Sequence, residues 1–513
     1  MWKPLHELDG IAREGAMDDE TSLVDRRLFV GGSALALFGF PGAALAQETR
    51  RDPERAAEGS GEAKRLAQVL AEFIASFDLK TVPPEVIERA RLAFIDTVGV
   101  MLAGSRQEVS RIVCEMVRLE GTAPSASVVG QSLRASPQLA ALANGVAAHA
   151  MDYDFTYISG QSISAVIPAI LPIAETAGAT PSECMAAFIV GSEVAARLVR
   201  SCFTLSSVGG WHTTGVVGTT AAAAAAARLL KLPVERISDV IGITVSMASG
   251  VSANFGTMTK PLHSGQAARN GIMAALLGAR GFTGHPLALE AHSGFFNTFG
   301  RGLGPSYEPF DDLGRRYDLV SIGYRPKAYP CGGLTHSSIE AALKLRETLG
   351  NRVSDITGIH AFVTRNAGQR AGTQYPRSVE NAKFSVAYLI AYSLLHGAPK
   401  IPAFTEEALQ DERVKALART VTASVDPELG PGTDDSPARV RITLSNGQTI
   451  EQRIDYPTGS TRNPMSQAQI EAKFLDSAAQ AVSLDVAKKI LAALSALPGR
   501  PSFDDFWPLI RSS

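Results

Sequence analysis

Seven consecutive alanines, Ala221 to Ala227 in the stretch GTTAAAAAAARLLKL (Gly218 to Leu232), constrain this chain more than any other feature. Alanine has the highest helix propensity, so the run reads as helix, yet it offers almost no side chain to bury. Such a helix gains stability only where neighbours approach its backbone closely, and small side chains allow that approach. The run predicts a helix at the centre of a bundle.

The surrounding text agrees. From about Ala67 to Ala279 the sequence is helical nearly throughout; PPEVIERARLAFIDTVGVMLAG opens on prolines and places Val86, Ala90, Ala93, Phe94 and Val98 at helical spacing. With 45% hydrophobic and 19% charged residues, the 513-residue chain has material for a large core and is too long for one domain. After Tyr324 the period changes. ITGIHAFVT, VTASVDP and ARVRITLSNGQTIEQRIDYP read as strands, the last with an Asn446-Gly447 hairpin turn. Between them AKFSVAYLIAYSLLHG is an apolar helix closing at Gly397, and NPMSQAQIEAKFLDSAAQ returns to helix with Ser466 as N-cap. The expected fold is mainly α. An all-helical domain (65–322) is completed by C-terminal helices (464–513) and brackets a smaller α+β domain (323–463).

Residues 25–46, DRRLFVGGSALALFGFPGAALA, set an arginine pair before a glycine-softened apolar run ending in Ala44-Leu45-Ala46. That is the layout of a twin-arginine secretory signal, cleaved before Gln47, which implies the export machinery as a partner and a periplasmic protein. Gly31, Gly32, Pro41 and Gly42 make the run a poor permanent membrane anchor. Residues 47–64 are polar and read as a linker.

Lysine and arginine number 49 against 51 acidic residues, so no electrostatic footprint for nucleic acid exists and a small-molecule partner is expected. Cys114, Cys184, Cys202 and Cys331 lie far apart without a C-x-x-C pair, which argues against a zinc site, an iron–sulfur cluster or a disulfide framework. Chemistry without a metal or cofactor is expected.

Four stretches could carry that chemistry. In FGTMTKPLHSGQAARNG, Pro261 predicts a helix start, leaving Lys260 beside an N-terminus where a bound carboxylate would meet Lys260 and His263. In AHAMDYDFTY, Asp152, Asp154 and Thr156 alternate, so an extended segment turns them the same way; a buried carboxylate beside a hydroxyl suits proton transfer. GWHTTG puts His212 before the alanine helix as a general base or acid, or a cap. YRPKAYPCGGLTH crowds Lys327, Tyr329, Cys331 and His336 into one loop, where Cys331 reads as an ordinary half-buried thiol.

Together these stretches, with FIDTVGVMLAG, AKFSVAYLIAYSLL and GSTRNPMS, resemble the MmgE/PrpD family, which includes 2-methylcitrate dehydratase, cis-aconitate decarboxylase and iminodisuccinate epimerase. The resemblance runs from about Leu66 to the end of the chain. It implies a helical domain with an α+β lid, an active site in the cleft between them, a homodimer, and catalysis without metal. It also implies that Asp152 and Thr156 form the acidic loop of the site, that His212 is its histidine, Lys260 and Lys327 its carboxylate-binding lysines, and Tyr388 its lid tyrosine. Gln161, His263 and His336 complete the expected substrate contacts.

The chain departs from the family pattern in reading Asp154-Phe155-Thr156 for an acidic pair before threonine, Gln161 for a histidine, and Gly332-Gly333 for bulkier lid residues. These departures argue against plain 2-methylcitrate dehydration or cis-aconitate decarboxylation. The expected activity is a dehydratase-like lyase on a small di- or tricarboxylic acid, with proton abstraction beside a carboxylate. Epimerisation or decarboxylation of a related acid is the alternative, and a non-catalytic periplasmic carboxylate-binding protein is the rival of another class.

Overall fold

A computed structural model describes residues 65–158, 160–205, 209–432 and 435–511. The proposed signal and the linker lie outside the described residues. The helical body runs α1 (Leu66–Ser76), α2 (Pro84–Gly104), α3 (Glu108–Glu120), α4 (Pro137–His149), α5 (Val166–Ala177), α6 (Pro181–Ser201), α7 (Thr213–Leu229), α8 (Val234–Met247) and α9 (Thr259–Ala279). The alanine run lies within α7, where Ala221 to Ala227 are all buried. Helices α5, α6, α8 and α9 surround it.

Close approach is what these small residues provide. A Cβ added at Gly271 of α9 would stand 2.6 Å from the Ala222 Cβ, and one at Gly145 of α4 would stand 2.6 Å from the Gly265 Cα of α9. Helix α9 is therefore wedged between α4 and α7 with no room for a methyl group. Its position controls the site, because Lys260 and His263 ride on its first two turns.

The second unit of secondary structure has a separate core. Strands β1 (Ile356–Val363), β2 (Val421–Val425), β3 (Ala438–Leu444) and β4 (Thr449–Ile454) form a sheet of order β2-β1-β3-β4, with β1 and β2 parallel and the other pairs antiparallel. Ile359, Ala361 and Val363 alternate inward beside Val440, Ile442 and Leu444. Helices α10 (His336–Leu349) and α11 (Val386–His396) supply the opposing apolar faces. A crossover through α11 and α12 (Glu412–Ala418) joins the parallel pair, as parallel strands require.

The chain then returns to the body with α13 (Gln467–Ala478) and α14 (Leu484–Ser495). Ser466 caps α13 in a full capping box with Gln469. Helix α13 packs on α2 and carries Lys473 to within 2.6 Å of the buried Asp96 carboxylate. The body thus binds the lid at both ends of the lid's sequence. Among the described residues, no helix is long and apolar enough to cross a membrane.

Candidate active site

The site begins where α4 ends. His149 closes the helix, and Asp152 follows with φ of 51°, a left-handed conformation that aspartate tolerates better than most residues. That reversal breaks the alternation expected from the sequence: Asp152 and Asp154 stay close but take different partners. Asp154 turns back to His149, both carboxylate oxygens lying 3.0 Å from its Nδ1. Asp152 turns toward the lid.

A two-residue ladder then ties loop to lid. Thr156 pairs with Arg325 and Tyr157 with Tyr324, which brings the loop after Arg325 over Asp152. Lys327 Nζ consequently lies 2.6 Å from the Asp152 Oδ1 and 2.6 Å from its backbone carbonyl oxygen. From the body, Lys260 Nζ reaches the same Oδ1 at 2.9 Å and Gln161 Nε2 donates to it at 2.7 Å. An ionised carboxylate only accepts, so Gln161 must present its amide N–H here. The three donors come from α9, the segment before α5 and the lid loop.

All four side chains are buried. Burial alone would raise the Asp152 carboxyl, but the ammonium groups of Lys260 and Lys327 outweigh it and hold it well below the usual carboxylate range. Burial lowers the Lys260 ammonium, against the pull of Asp152. One carboxylate shared by two ammonium groups leaves a surplus of positive charge, and that surplus is a ready receptor for a ligand carboxylate. Phe255 and Phe384 flank the Lys260 ammonium, each ring centroid at 5.6 Å.

His212 sits at the mouth of α7, its backbone N–H bonded to the Gly250 carbonyl at 3.0 Å. Its ring stacks on His149 at 5.3 Å and meets Phe255 edge to face at 4.8 Å. Its Nδ1 lies 3.0 Å from the Nδ1 of His263, while its Nε2 is buried without a hydrogen-bond partner among the described residues. Burial, reinforced by His149 and Lys260, pushes this imidazole well below its ordinary pKa, so it is neutral. On the lid side His336 opens α10; burial pushes it down to about 3, and its Nε2 also lacks a partner among the described residues.

Asp152, Thr156, Gln161, His212, Lys260, Lys327 and His336 line one cavity of about 180 Å³ between body and lid. Thr156 donates its hydroxyl to the Arg325 carbonyl. Gly333 leaves open space above Lys327: its added Cβ would find only the lysine Cε, at 4.0 Å. His263, expected among the substrate contacts, is corrected by its position: it does not line the cavity and stands behind His212.

Three further expectations are corrected. Tyr388 is buried in the lid core, where its hydroxyl donates to the Ala403 carbonyl and its ring meets Tyr375 and Tyr392; the apolar face of α11 that carries it packs inward, so it does not reach the cavity. Helix α9 starts at Thr259, two residues before Pro261, so Lys260 lies inside the first turn, already paired with Asp152 rather than waiting beside an anion site. Cys331 is fully rather than half-buried, and burial pushes its thiol up to about 12, which keeps it the ordinary, unreactive thiol expected.

Residues the sequence reading passed over also contribute. Arg325 and Arg370 line the cavity, and His149 supports His212 from behind. A histidine five residues before a buried aspartate at a helix end was the available signal for His149. His149, Asp152 and Asp154 present donor atoms within 4.8 Å of one another. The set does not suit a cation, because two ammonium groups already occupy Asp152 and Asp154 is committed to His149.

Comparison with known proteins gives a consistent picture. The MmgE/PrpD N-terminal domain matches residues 68–308, and the MmgE/PrpD C-terminal domain matches residues 329–497. The chain is 30% identical over 441 residues to the cis-aconitate decarboxylase of Homo sapiens, covering 83% of this chain and 91% of that protein. It is 30% identical over 419 residues to the cis-aconitate decarboxylase of Aspergillus terreus, covering 77% and 85%. The mitochondrial 2-methylcitrate dehydratase of Yarrowia lipolytica is 22% identical over 426 residues, covering 77% and 80%.

Proposed function

We propose the function from one premise: the chain belongs to the MmgE/PrpD family. It is read as an enzyme acting on carboxylic acids, a lyase or isomerase. The finer reading is a lyase that takes a proton from the carbon beside a carboxylate of a small di- or tricarboxylic acid, with elimination of water as the outcome.

The observation that carries this reading is His212. A neutral imidazole with a bare, buried Nε2 lines the same cavity as the ammonium groups of Lys260 and Lys327. A proton beside a carboxylate is weakly acidic, so its removal requires cations where the enolate charge develops. Lys260 and Lys327, both buried, supply them at the cavity wall. Asp152 is the weaker candidate for the base, since both lysines hold its carboxyl well below the usual range and its Oδ1 carries three donors; it holds the lysines and Gln161 in place. His212 is assigned as the base on its geometry: its Nδ1 meets His263 and its ring stacks on His149, whereas the bare Nε2 of His336 lies on the lid side of the cavity.

Loss of carbon dioxide from the same clamped acid is the second reading, favoured by the two relatives at 30% identity that are named cis-aconitate decarboxylases. It uses the lysine clamp without a base and needs only a proton donor for the resulting carbanion. Turnover of a panel of di- and tricarboxylic acids, followed by NMR in deuterated water, separates the outcomes. Alkene with release of water supports the lyase reading, carbon dioxide supports the second, and exchange of the carbon-bound hydrogen without net product indicates an epimerase. Saturable binding with none of these would overturn the enzyme reading. A homodimer is part of the proposal, and light scattering at twice the chain mass is the expected result.

A further inference from the structure

The Nδ1 atoms of His212 and His263 lie 3.0 Å apart, so one of them donates a proton and the other accepts it. The two rings differ in access to water: His212 is 4% exposed, whereas His263 is only half-buried on the second turn of α9. The His212 ring is packed against its neighbours, stacked on His149 and edge to face with Phe255. The backbone N–H of His212 is tied to Gly250, and the His263 ring lies so close to Gly250 that an added Cβ there would come within 3.1 Å of it.

The cavity selects the direction of the shared proton. A bare Nε2 turns the negative end of the His212 ring dipole toward a cavity holding two ammonium groups, whereas an N–H at Nε2 would add a further positive end there. His212 is therefore protonated at Nδ1 and donates to the bare Nδ1 of His263. Gln161 and Thr156, which line the same cavity, neither give nor take a proton at neutral pH.

We infer that His212 and His263 form a proton relay, in which His212 Nε2 takes the substrate proton while the Nδ1 proton of His212 passes to the Nδ1 of His263. The inference rests on the proton-abstraction reading above. In the first step the carbon–hydrogen bond breaks, its electron pair stays on the substrate as an enolate, and a new N–H bond forms at Nε2. In the second, the Nδ1–H bond of His212 breaks and an N–H bond forms at Nδ1 of His263. His263 then sheds its Nε2 proton to water, and no net charge is left on either ring.

The relay solves the problem that the burial of His212 creates. An imidazolium there would face Lys260, His149 and His263 with only Asp152 to offset them, deep in the protein. Passing the charge to the ring nearer solvent lessens that cost, although burial, His149 and Lys260 also push His263 down to about 4 and so favour quick loss of its proton to water. It also leaves His212 with a proton on Nε2, ready to protonate the departing hydroxyl as His263 returns its Nδ1 proton and recovers one from water. One histidine pair thus acts as base and then as acid, with the atoms and charges restored.

His263→Gln tests it, since the glutamine Oε1 can still accept the His212 Nδ1–H and keep the ring oriented but cannot take its proton. The expected result is a fall in kcat of about a hundredfold with KM little changed. A wild-type kcat in this variant overturns the relay. Nitrogen-15 NMR of the imidazoles in the resting wild-type enzyme gives a test independent of any variant's folding: His212 protonated at Nδ1 and His263 at Nε2 is expected, and His212 protonated at Nε2 overturns the relay. If the wild-type enzyme exchanges no carbon-bound hydrogen with deuterated water for any acid it turns over, the proton-abstraction reading itself falls. Exchange in the wild type together with unimpaired His263→Gln removes the relay alone.

Discussion

Asp152 concentrates the physics of the site in one oxygen. Two ammonium groups and an amide N–H meet on Oδ1, and the backbone carrying it is left-handed. Asp152→Asn retains the left-handed preference and removes the charge, so it isolates the electrostatic contribution. Two buried ammonium groups without their counter-ion should cost about 3–5 kcal/mol, measured by chemical denaturation. Lys260→Ala leaves the carboxylate paired with Lys327 and Gln161, so its stability loss should be smaller. Its main effect should be on kcat/KM, through loss of a charge-assisted hydrogen bond of roughly 1.5–3 kcal/mol to the bound acid. Undiminished kcat/KM would remove Lys260 from the clamp, and equal stability losses in the two variants would show that the lysines do not depend on Asp152.

At the scale of elements, the crossing of α4, α7 and α9 sets where Lys260 and His263 stand. Gly265 faces the Leu142 carbonyl oxygen, where an added Cβ would come within 2.4 Å, and Gly271 faces the Ala222 methyl. Neither neighbour is the end of a flexible side chain, so α9 must move to admit a methyl group. Gly265→Ala should destabilise by about 1–3 kcal/mol and lower kcat together with affinity, because a shift of α9 carries both Lys260 and the His263 ring with it. A variant with wild-type melting temperature and kinetics would show that the helix pair has slack that the geometry denies. Gly178, at the end of α5, offers the control: it has φ of 64° with no heavy atom near its missing Cβ, so any cost of substitution there is one of backbone conformation rather than packing.

For the whole molecule, burial of neutral histidines makes acid the main threat. The folded pKa of His336 is depressed to about 3, below the unfolded value of about 6.5, and His149 and His212 are lowered in the same sense. The stability this provides is fully present above pH 6.5 and is lost as pH falls toward the folded values, because the unfolded chain then binds more protons. His336 should contribute a slope approaching about 1.4 kcal/mol per pH unit below 6.5, with His149 and His212 adding in the same direction. Denaturation midpoints should therefore drop between pH 7 and 5, and His336→Gln should flatten that slope by one histidine's share. A midpoint independent of pH in this range would mean that these rings are charged in the folded protein. Export also belongs to this scale and is proposed on Arg26-Arg27 alone, outside the described residues. Replacing both arginines with lysine should retain the protein in the cytoplasm, as fractionation would show, because the export receptor distinguishes the pair from charge alone.

Local chemistry made much of this legible without coordinates. The alanine run, the proline-led helix starts, the Asn446-Gly447 hairpin and the Ser466 cap each act over a few residues, and periodicity alone separates the helical body from the strands of the lid. The resemblance placed Asp152, Thr156, His212, Lys260, Lys327 and Tyr388 in one site, and all but Tyr388 line one cavity. What local pattern could not supply was direction. The left-handed turn at Asp152 sends two aspartates to different partners, the first turn of α9 takes in Lys260 ahead of its proline, and α11 buries the Tyr388 ring away from the cavity. The meeting of two histidine Nδ1 atoms separated by 51 residues depends on how α7 and α9 cross. Sequence determines which groups a segment carries and which period it follows; only packing in three dimensions decides which buried charges meet, because that depends on contacts between residues far apart in the chain.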